Sequence, residues 1–275
     1  MTKLWYSVFS NDPYKGTEPF FLDPDDFEFP KILEAKLEPI RNELLRYSKE
    51  KQLNSYFNAA MVTKANVWKT TSLKTWGVNI YKNYKHFPET LKTINSIPGL
   101  VSASFNLLEP NGHILPHNGD TNAIMRCHFG LVIPGTVPEC GFRVGTEWQP
   151  WREGKVLIFV DANDHEAINN TDQNRYILSF DVIRAEFIGK KQLVCATVLS
   201  SLTLQKITGR AARLIFGIIF MIKPKKKMAE TQSRKVATKV TRKVPMPFKY
   251  ILIWSFVPFM LVALPLRNFF YKFQQ

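Results

Sequence analysis

"LPHNGDTNAIMRCHFGL", residues 115–131, sets two imidazoles and a guanidinium into a run that is otherwise largely apolar. His117 stands before an Asn-Gly-Asp turn, and Arg126 and His128 follow two positions apart. Strict alternation along "MRCHFGLVI" sends Arg126 and His128 to one face of a strand and Met125, Cys127 and Phe129 to the other. A strand core excludes such polar groups unless something pairs with them. Two of them facing the same way predict a polar cavity inside a barrel, filled by structural partners or by a ligand.

The flanking texture agrees. "VSASFNLL" and "HILPH" precede this stretch; "GFRVG", "KVLIFV", "HEAIN" and "RYILSFDVI" follow it. Short runs between turn residues at this spacing predict an all-β sandwich or barrel. Upstream, residues 1–29 read as an irregular lead-in. "PKILEAKLEPIRNELLRYSKE" places Ile32, Leu33, Leu37, Ile40, Leu44 and Leu45 on one helical stripe, with a kink at Pro39. "TWGVNIYKNY" is aromatic and strand-like, and "FPETLKTINSIPG" reads as a short helix opened near Pro88 and closed by Pro98-Gly99. The expected organisation is a helical and strand support region over 1–100 and a β core over 101–190. A helical and basic linker over 191–249 and a membrane-associated or transmembrane segment over 250–266 complete it.

Charge divides the chain in the same way. Of 37 basic and 23 acidic residues, 15 basic and one acidic (Glu230) lie after residue 204, leaving 22 of each before it. The net charge of +14 therefore belongs to the tail. "YILIWSFVPFMLVALPL", residues 250–266, is uncharged and slightly shorter than the ~20 residues a spanning helix needs. It is expected to span the bilayer tilted or kinked, or to lie in the interface. The basic residues gather on its amino-terminal side, which places the barrel on the cytoplasmic side and suits anionic headgroups. No aromatic platform accompanies the lysines, so nucleic acid is not an expected partner. Three cysteines without a CxxC pair, and an amino terminus without a signal-peptide core, point to a reducing, cytoplasmic setting.

Four of the five histidines fall between 113 and 165. His165 follows "KVLIFVDAND", and Arg175 comes ten residues later at the start of another strand. A metal needs neutral imidazoles or carboxylates converging from separate strands; a small dianion needs an arginine fork deep in a pocket. His86, His113 and Glu166 read as surface or supporting residues, and Cys127 as core. Trp148 and Trp151 flank a turn, either as packing or as the rim of a substrate site.

"PHNGDTNAIMRCHFGLVIP", "GKVLIF", "DHEAIN" and "DQNRYILSFDV" together resemble the aspartyl/asparaginyl β-hydroxylase family of iron(II) and 2-oxoglutarate dioxygenases, over roughly residues 76–183. The resemblance implies a double-stranded β-helix, a cupin-like jelly-roll barrel, with N-terminal helices and, here, a hydrophobic helical tail. It implies iron ligation by His117 and His165, and pairing of Arg175 with the distal carboxylate of 2-oxoglutarate. Arg126 and His128 would help to hold that cosubstrate. Asn106 falls where some members carry a serine touching it, and Tyr81 near an aromatic wall position. O₂ is the co-reactant. The acceptor is a C–H bond of an Asp or Asn side chain in a protein or, in bacterial members, of a membrane-lipid acyl chain. Gly119 stands where many such enzymes place a third, carboxylate ligand, and Asp120, one residue late, is expected to miss the metal. The competing expectation is a non-catalytic, membrane-tethered binding module on the same barrel.

Overall fold

The computed structural model describes residues 2–56, 58, 61–221, 251 and 253–262, and for 207–221 the backbone only. The chain forms two compact units, residues 1–56 with 62–191, and residues 57–61 with 192–275.

The first unit is mainly β. Its strands are β1 (Asn54–Ser55), β2 (Trp68–Thr75), β3 (Val78–Asn79), β4 (Leu100–Leu108), β5 (Gly112–His117) and β6 (Ile124–Val132), followed by β7 (Cys140–Val144), β8 (Glu147–Gln149), β9 (Val156–Val160), β10 (His165–Asn169) and β11 (Arg175–Ile183). One sheet has the order β1-β2-β4-β11-β6-β9, with β3 on β2; the other is β5-β10-β7-β8. From β4 onward the chain steps back and forth between the two sheets, and the paired strands are antiparallel. That path is a jelly roll, as the resemblance implies and within the sandwich or barrel that the spacing of short runs predicts.

Alternation decides what each face carries. Met125, Cys127, Phe129 and Leu131 of β6 join Leu178, Phe180 and Val182 of β11 in a core on the outer side of the large sheet. The intervening positions, Arg126 and His128 on β6 and Arg175 and Ile177 on β11, face the space between the sheets, where Phe142 of β7 and Phe159 of β9 also sit. The polar face expected of β6 is therefore internal.

Helices α1 (Phe29–Glu34), α2 (Leu37–Glu50) and α3 (Pro88–Asn95) belong to the outer core. Proline at 39 has no N–H to give to the carbonyl four residues back, and the chain breaks at 35–36 into two helices instead of one kinked helix. Leu33, Ile40 and Leu44 are fully buried, but Ile32 is exposed, so the apolar stripe is narrower than its spacing predicts. Glu43 of α2 caps α3, accepting from the Glu89 and Thr90 amides at 2.7 and 2.9 Å; anionic side chains favour a helix N-terminus. Of the strand expected over residues 75–84, Thr75 and Val78–Asn79 are strand, paired across a hairpin turn at Trp76-Gly77, both with positive φ, and a 3₁₀ turn over Tyr81–His86 follows. Asn83 stabilises that turn by donating to the Ser72 carbonyl of β2 at 2.7 Å.

The second unit contains α4 (Lys191–Met221) and a helical stretch at 253–262. In that stretch Ile253 and Val257 are buried, while Trp254, Phe259 and Val262 are exposed, as is Ile251 before it. Among the described residues no helix is long and apolar enough to cross a membrane. Of the segment expected over 250–266, residues 250, 252 and 263–266 lie outside the described residues, as does the basic linker over 223–249.

Candidate active site

His117 ends β5 and His165 begins β10, and the two are direct partners in the ladder between those strands. Their rings lie 4.2 Å apart between centroids. Each Nδ1 is held by a backbone carbonyl two residues back, His117 by Leu115 at 2.7 Å and His165 by Asn163 at 2.8 Å. A carbonyl only accepts, so Nδ1 carries the proton and Nε2 is left with its lone pair. Burial, reinforced by each ring's cationic or imidazole neighbours, pushes both pKa values down to about 3. Two neutral imidazoles with fixed tautomers and close rings are what a divalent metal takes from protein, and the carbonyl behind each ring is the usual orienting partner.

Three carboxyl groups stand nearby. Asp161, fully buried, meets Arg126 Nη1 at 2.6 Å and approaches His165 Nε2 at 3.9 Å. Asp181 takes Arg126 through Nε and Nη2 at 2.8 and 3.2 Å. The Asp120 amide donates to Asp161 at 3.1 Å, and burial with the Asp161 charge lifts the Asp120 pKa to about 7. Gly119 is where the third ligand of many related sites would stand. A Cβ built there falls inside the Asp161 carboxylate. The acid of the neighbouring loop thus fills the space that a side chain at 119 would need. Among the described residues no group of three or more His, Cys, Asp or Glu side chains is placed to hold a metal ion.

Deeper in the barrel, Phe142 and Phe159 separate His165 from His128, with ring centroids 4.7–5.7 Å apart. His128 Nδ1 accepts from the Trp151 indole at 3.4 Å. Burial, then the Arg175 charge, drives the His128 pKa well below the usual imidazole value. Arg175 is 1% exposed and lies 4.4 Å from the Trp151 ring centre. Among the described residues its Nε and Nη1 have no hydrogen-bond partner, and burial lowers its pKa to about 10. An isolated buried cation is costly enough that proteins pair it. Its donors fit an anion with planar acceptors, a carboxylate above all.

Two of the expected site residues are placed otherwise. Arg126 donates two N–H groups to Asp181 and forms an ion pair with Asp161 through Nη1, so it braces both acids. Tyr81 packs on Tyr84 at 4.9 Å and takes a hydrogen bond from Asn79, on the outer side of the large sheet. The aromatic beside Asn106 is Trp68, whose indole donates to the Asn106 carbonyl oxygen at 3.0 Å and whose ring stacks on Tyr56. The Asn106 amide nitrogen meets Ser104 at 3.0 Å.

A profile described as Aspartyl/Asparaginyl beta-hydroxylase matches residues 34–185. The chain belongs to that family. It is similar to "Ornithine lipid ester-linked acyl 2-hydroxylase" of Rhizobium tropici, 34% identical over 183 residues, 66% of this chain and 64% of that protein. It is also similar to human "Aspartyl/asparaginyl beta-hydroxylase", 35% identical over 107 residues, 37% of this chain and 14% of that protein. The chain thus spans less than two thirds of either relative. A Pseudomonas putida prolyl-4-hydroxylase structure covers 66% of this chain and 92% of its own, at 14% identity and TM-score 0.35.

Sequence reasoning passed over Asp161 and Asp181. Asp181 had a signal: alternation from Arg175 puts it on the inward face of β11, and it lies opposite Arg126 in the ladder. Asp161 had less, a lone acid closing "KVLIFV". The lead-in was missed too. Ser7 donates its amide to the Asp120 carbonyl at 3.0 Å, and Trp5 and Lys3 bond Asn122, so residues outside the family match brace the turn that carries His117.

Proposed function

We propose that this chain is an iron(II) and 2-oxoglutarate-dependent hydroxylase acting on the acyl chain of a membrane lipid. The observation that carries the reading is a neutral histidine pair and a buried arginine with unpartnered donors, both on inward positions of one barrel. His117 and His165 would hold the iron through Nε2. Arg175 would take the distal carboxylate of 2-oxoglutarate, and His128 would donate to the same molecule. The bound iron supplies O₂ activation, and the balance is acceptor C–H, 2-oxoglutarate and O₂ giving C–OH, succinate and CO₂. The protein's part is to hold cosubstrate and metal at fixed places and to exclude water. Phe142, Phe159 and Trp151 pack together between the sheets and keep those surroundings apolar.

The lipid acceptor is supported by the acyl hydroxylase relative, which matches 66% of the chain. It is also supported by the basic excess of the tail. The exposed face of Ile251, Trp254, Phe259 and Val262 suits a helix lying in the interface of the cytoplasmic leaflet.

The test is succinate formation with iron and ascorbate, challenged with membrane lipid extract or with Asp- and Asn-containing peptides. Lipid is expected to stimulate turnover and to gain one oxygen atom on an acyl chain. Stimulation by the peptides alone would assign a protein acceptor. No turnover with either, and no iron retained under nitrogen, would make the barrel a binding module.

A further inference from the structure

Trp151 sits in the turn between β8 and β9 and is 2% exposed. Among the described residues its side chain meets His128 and Arg175, inward-facing polar residues of β6 and β11. The indole N–H points at His128 Nδ1, and the ring face lies under the Arg175 guanidinium. The turn is itself fastened to β6. Gly130 and Gly154 exchange backbone bonds with this turn and with β6, and a Cβ at Gly130 would land on the Arg152 carbonyl. Gly130 is two residues from His128, so indole and imidazole are held in register by backbone and not by side-chain packing alone.

We propose that Trp151 is a positioning residue for the anionic cosubstrate, orienting Arg175 with the face of its ring and fixing the tautomer of His128 with its edge. This rests on the reading that Arg175 and His128 hold 2-oxoglutarate. An imidazole that accepts at Nδ1 carries its proton on Nε2. His128 then presents a donor to the cavity, and Arg175 adds its unpartnered Nε and Nη1. A carboxylate, which only accepts, meets donors from both. In the other tautomer an Nε2 lone pair would face the carboxylate and repel it. The ring face also offsets part of the cost of a buried guanidinium in the absence of an anion, so the arginine stays poised without a competing acid.

The experiment uses full-length protein. In the metal-free wild type, ¹⁵N-histidine NMR is expected to show His128, assigned with a His128→Gln variant, protonated at Nε2. Trp151→Phe keeps a ring under Arg175 and removes the N–H. The expected result is a mixed His128 tautomer, and a 2-oxoglutarate Kd raised about tenfold by calorimetry with Mn(II) under nitrogen. Trp151→Leu, which loses both contacts, is expected to raise it about a hundredfold. Mn(II) affinity should stay unchanged, and kcat at saturating cosubstrate should stay within about twofold, a split that general loosening of the fold would not give. Wild-type His128 protonated at Nδ1 overturns the proposal without any variant. A Phe variant matching wild type in tautomer and Kd overturns it while leaving the hydroxylase reading intact. A wild type that takes up no 2-oxoglutarate removes both.

Discussion

Arg126 and Arg175 enter the same barrel from neighbouring strands and meet opposite surroundings. Arg126 lies among acids, bound by Asp181 on one side and Asp161 on the other. Arg175 has an aromatic face beneath it and open donors around it. Among the described residues the first arginine is paired within the protein, while Nε and Nη1 of the second are not. Both occupy inward strand positions, and both matched cosubstrate-holding residues by resemblance. Strand position does not separate them; partner inventory does.

The largest expected effect is at the rim. His165→Ala or His117→Ala should abolish iron retention and bring succinate formation to background, because a two-imidazole site has no ligand to spare; metal analysis and turnover check it. The arginine pair gives the next effects, with opposite signs for stability. Arg126→Met strands two buried carboxylates and should cost about 3–5 kcal/mol in denaturant unfolding. Arg175→Met removes an unpaired charge and should leave the ligand-free protein as stable as wild type or about 1–2 kcal/mol more stable. Its 2-oxoglutarate affinity should fall by about 2–5 kcal/mol, roughly 30-fold to several thousand-fold. Equal destabilisation by the two changes would erase the contrast.

What the sequence made legible follows the range of each interaction. The inward face of β6 could be read because alternation is local: Arg126 and His128 are separated from Cys127 and Phe129 by strand geometry alone. An all-β sandwich or barrel could be read from the spacing of short runs, and the jelly roll only from the resemblance. The pairing of His117 with His165 could not, since it depends on which strands become neighbours, and only the family resemblance brought those residues together. Arg126's partners come from 35 and 55 positions away. No local pattern distinguished a guanidinium answered by protein from one awaiting a ligand. The bonds of Trp5 and Ser7 to the 120–122 turn are irregular backbone contacts with no periodicity to read. The apolar tail was readable as composition.

Gly119 sharpens the comparison at the rim. Glycine there can be taken as a missing ligand, yet the Asp161 carboxylate occupies the space of its side chain. Gly119→Ala should therefore push Asp161 off Arg126 and cost about 1–3 kcal/mol, the usual range for overpacking. Gly119→Asp should do no better at holding iron, since the new acid and Asp161 compete for one place. Restoration of tighter iron binding in the Asp variant, by Mn(II) titration, would show that the loop carrying Asp161 yields.

The smallest effect is electrostatic and concerns Asp120. Its pKa, raised to about 7 by burial and by Asp161, means that the folded protein binds a proton there which the unfolded chain releases near 4. Stability from this group is complete at low pH and is lost as pH rises through the window from about 4 to 7. The histidine pair runs the other way. With folded values near 3, both rings resist protonation, so their contribution grows as pH rises from about 3 toward 6.5. Two rings against one carboxyl leave the metal-free wild type still gaining stability across the shared window, at about the slope of one proton. Asp120→Asn removes one side of that balance, and its stability should rise relative to wild type between pH 4 and about 7, with activity retained because the carboxylate is not a ligand. Parallel pH–stability curves for the two proteins, read from urea midpoints without metal, would mean that Asp120 ionises normally and that Arg126 neutralises all three acids at the rim. Arg126 would then be paired still more completely, and Arg175 would remain the cation without a partner in the protein.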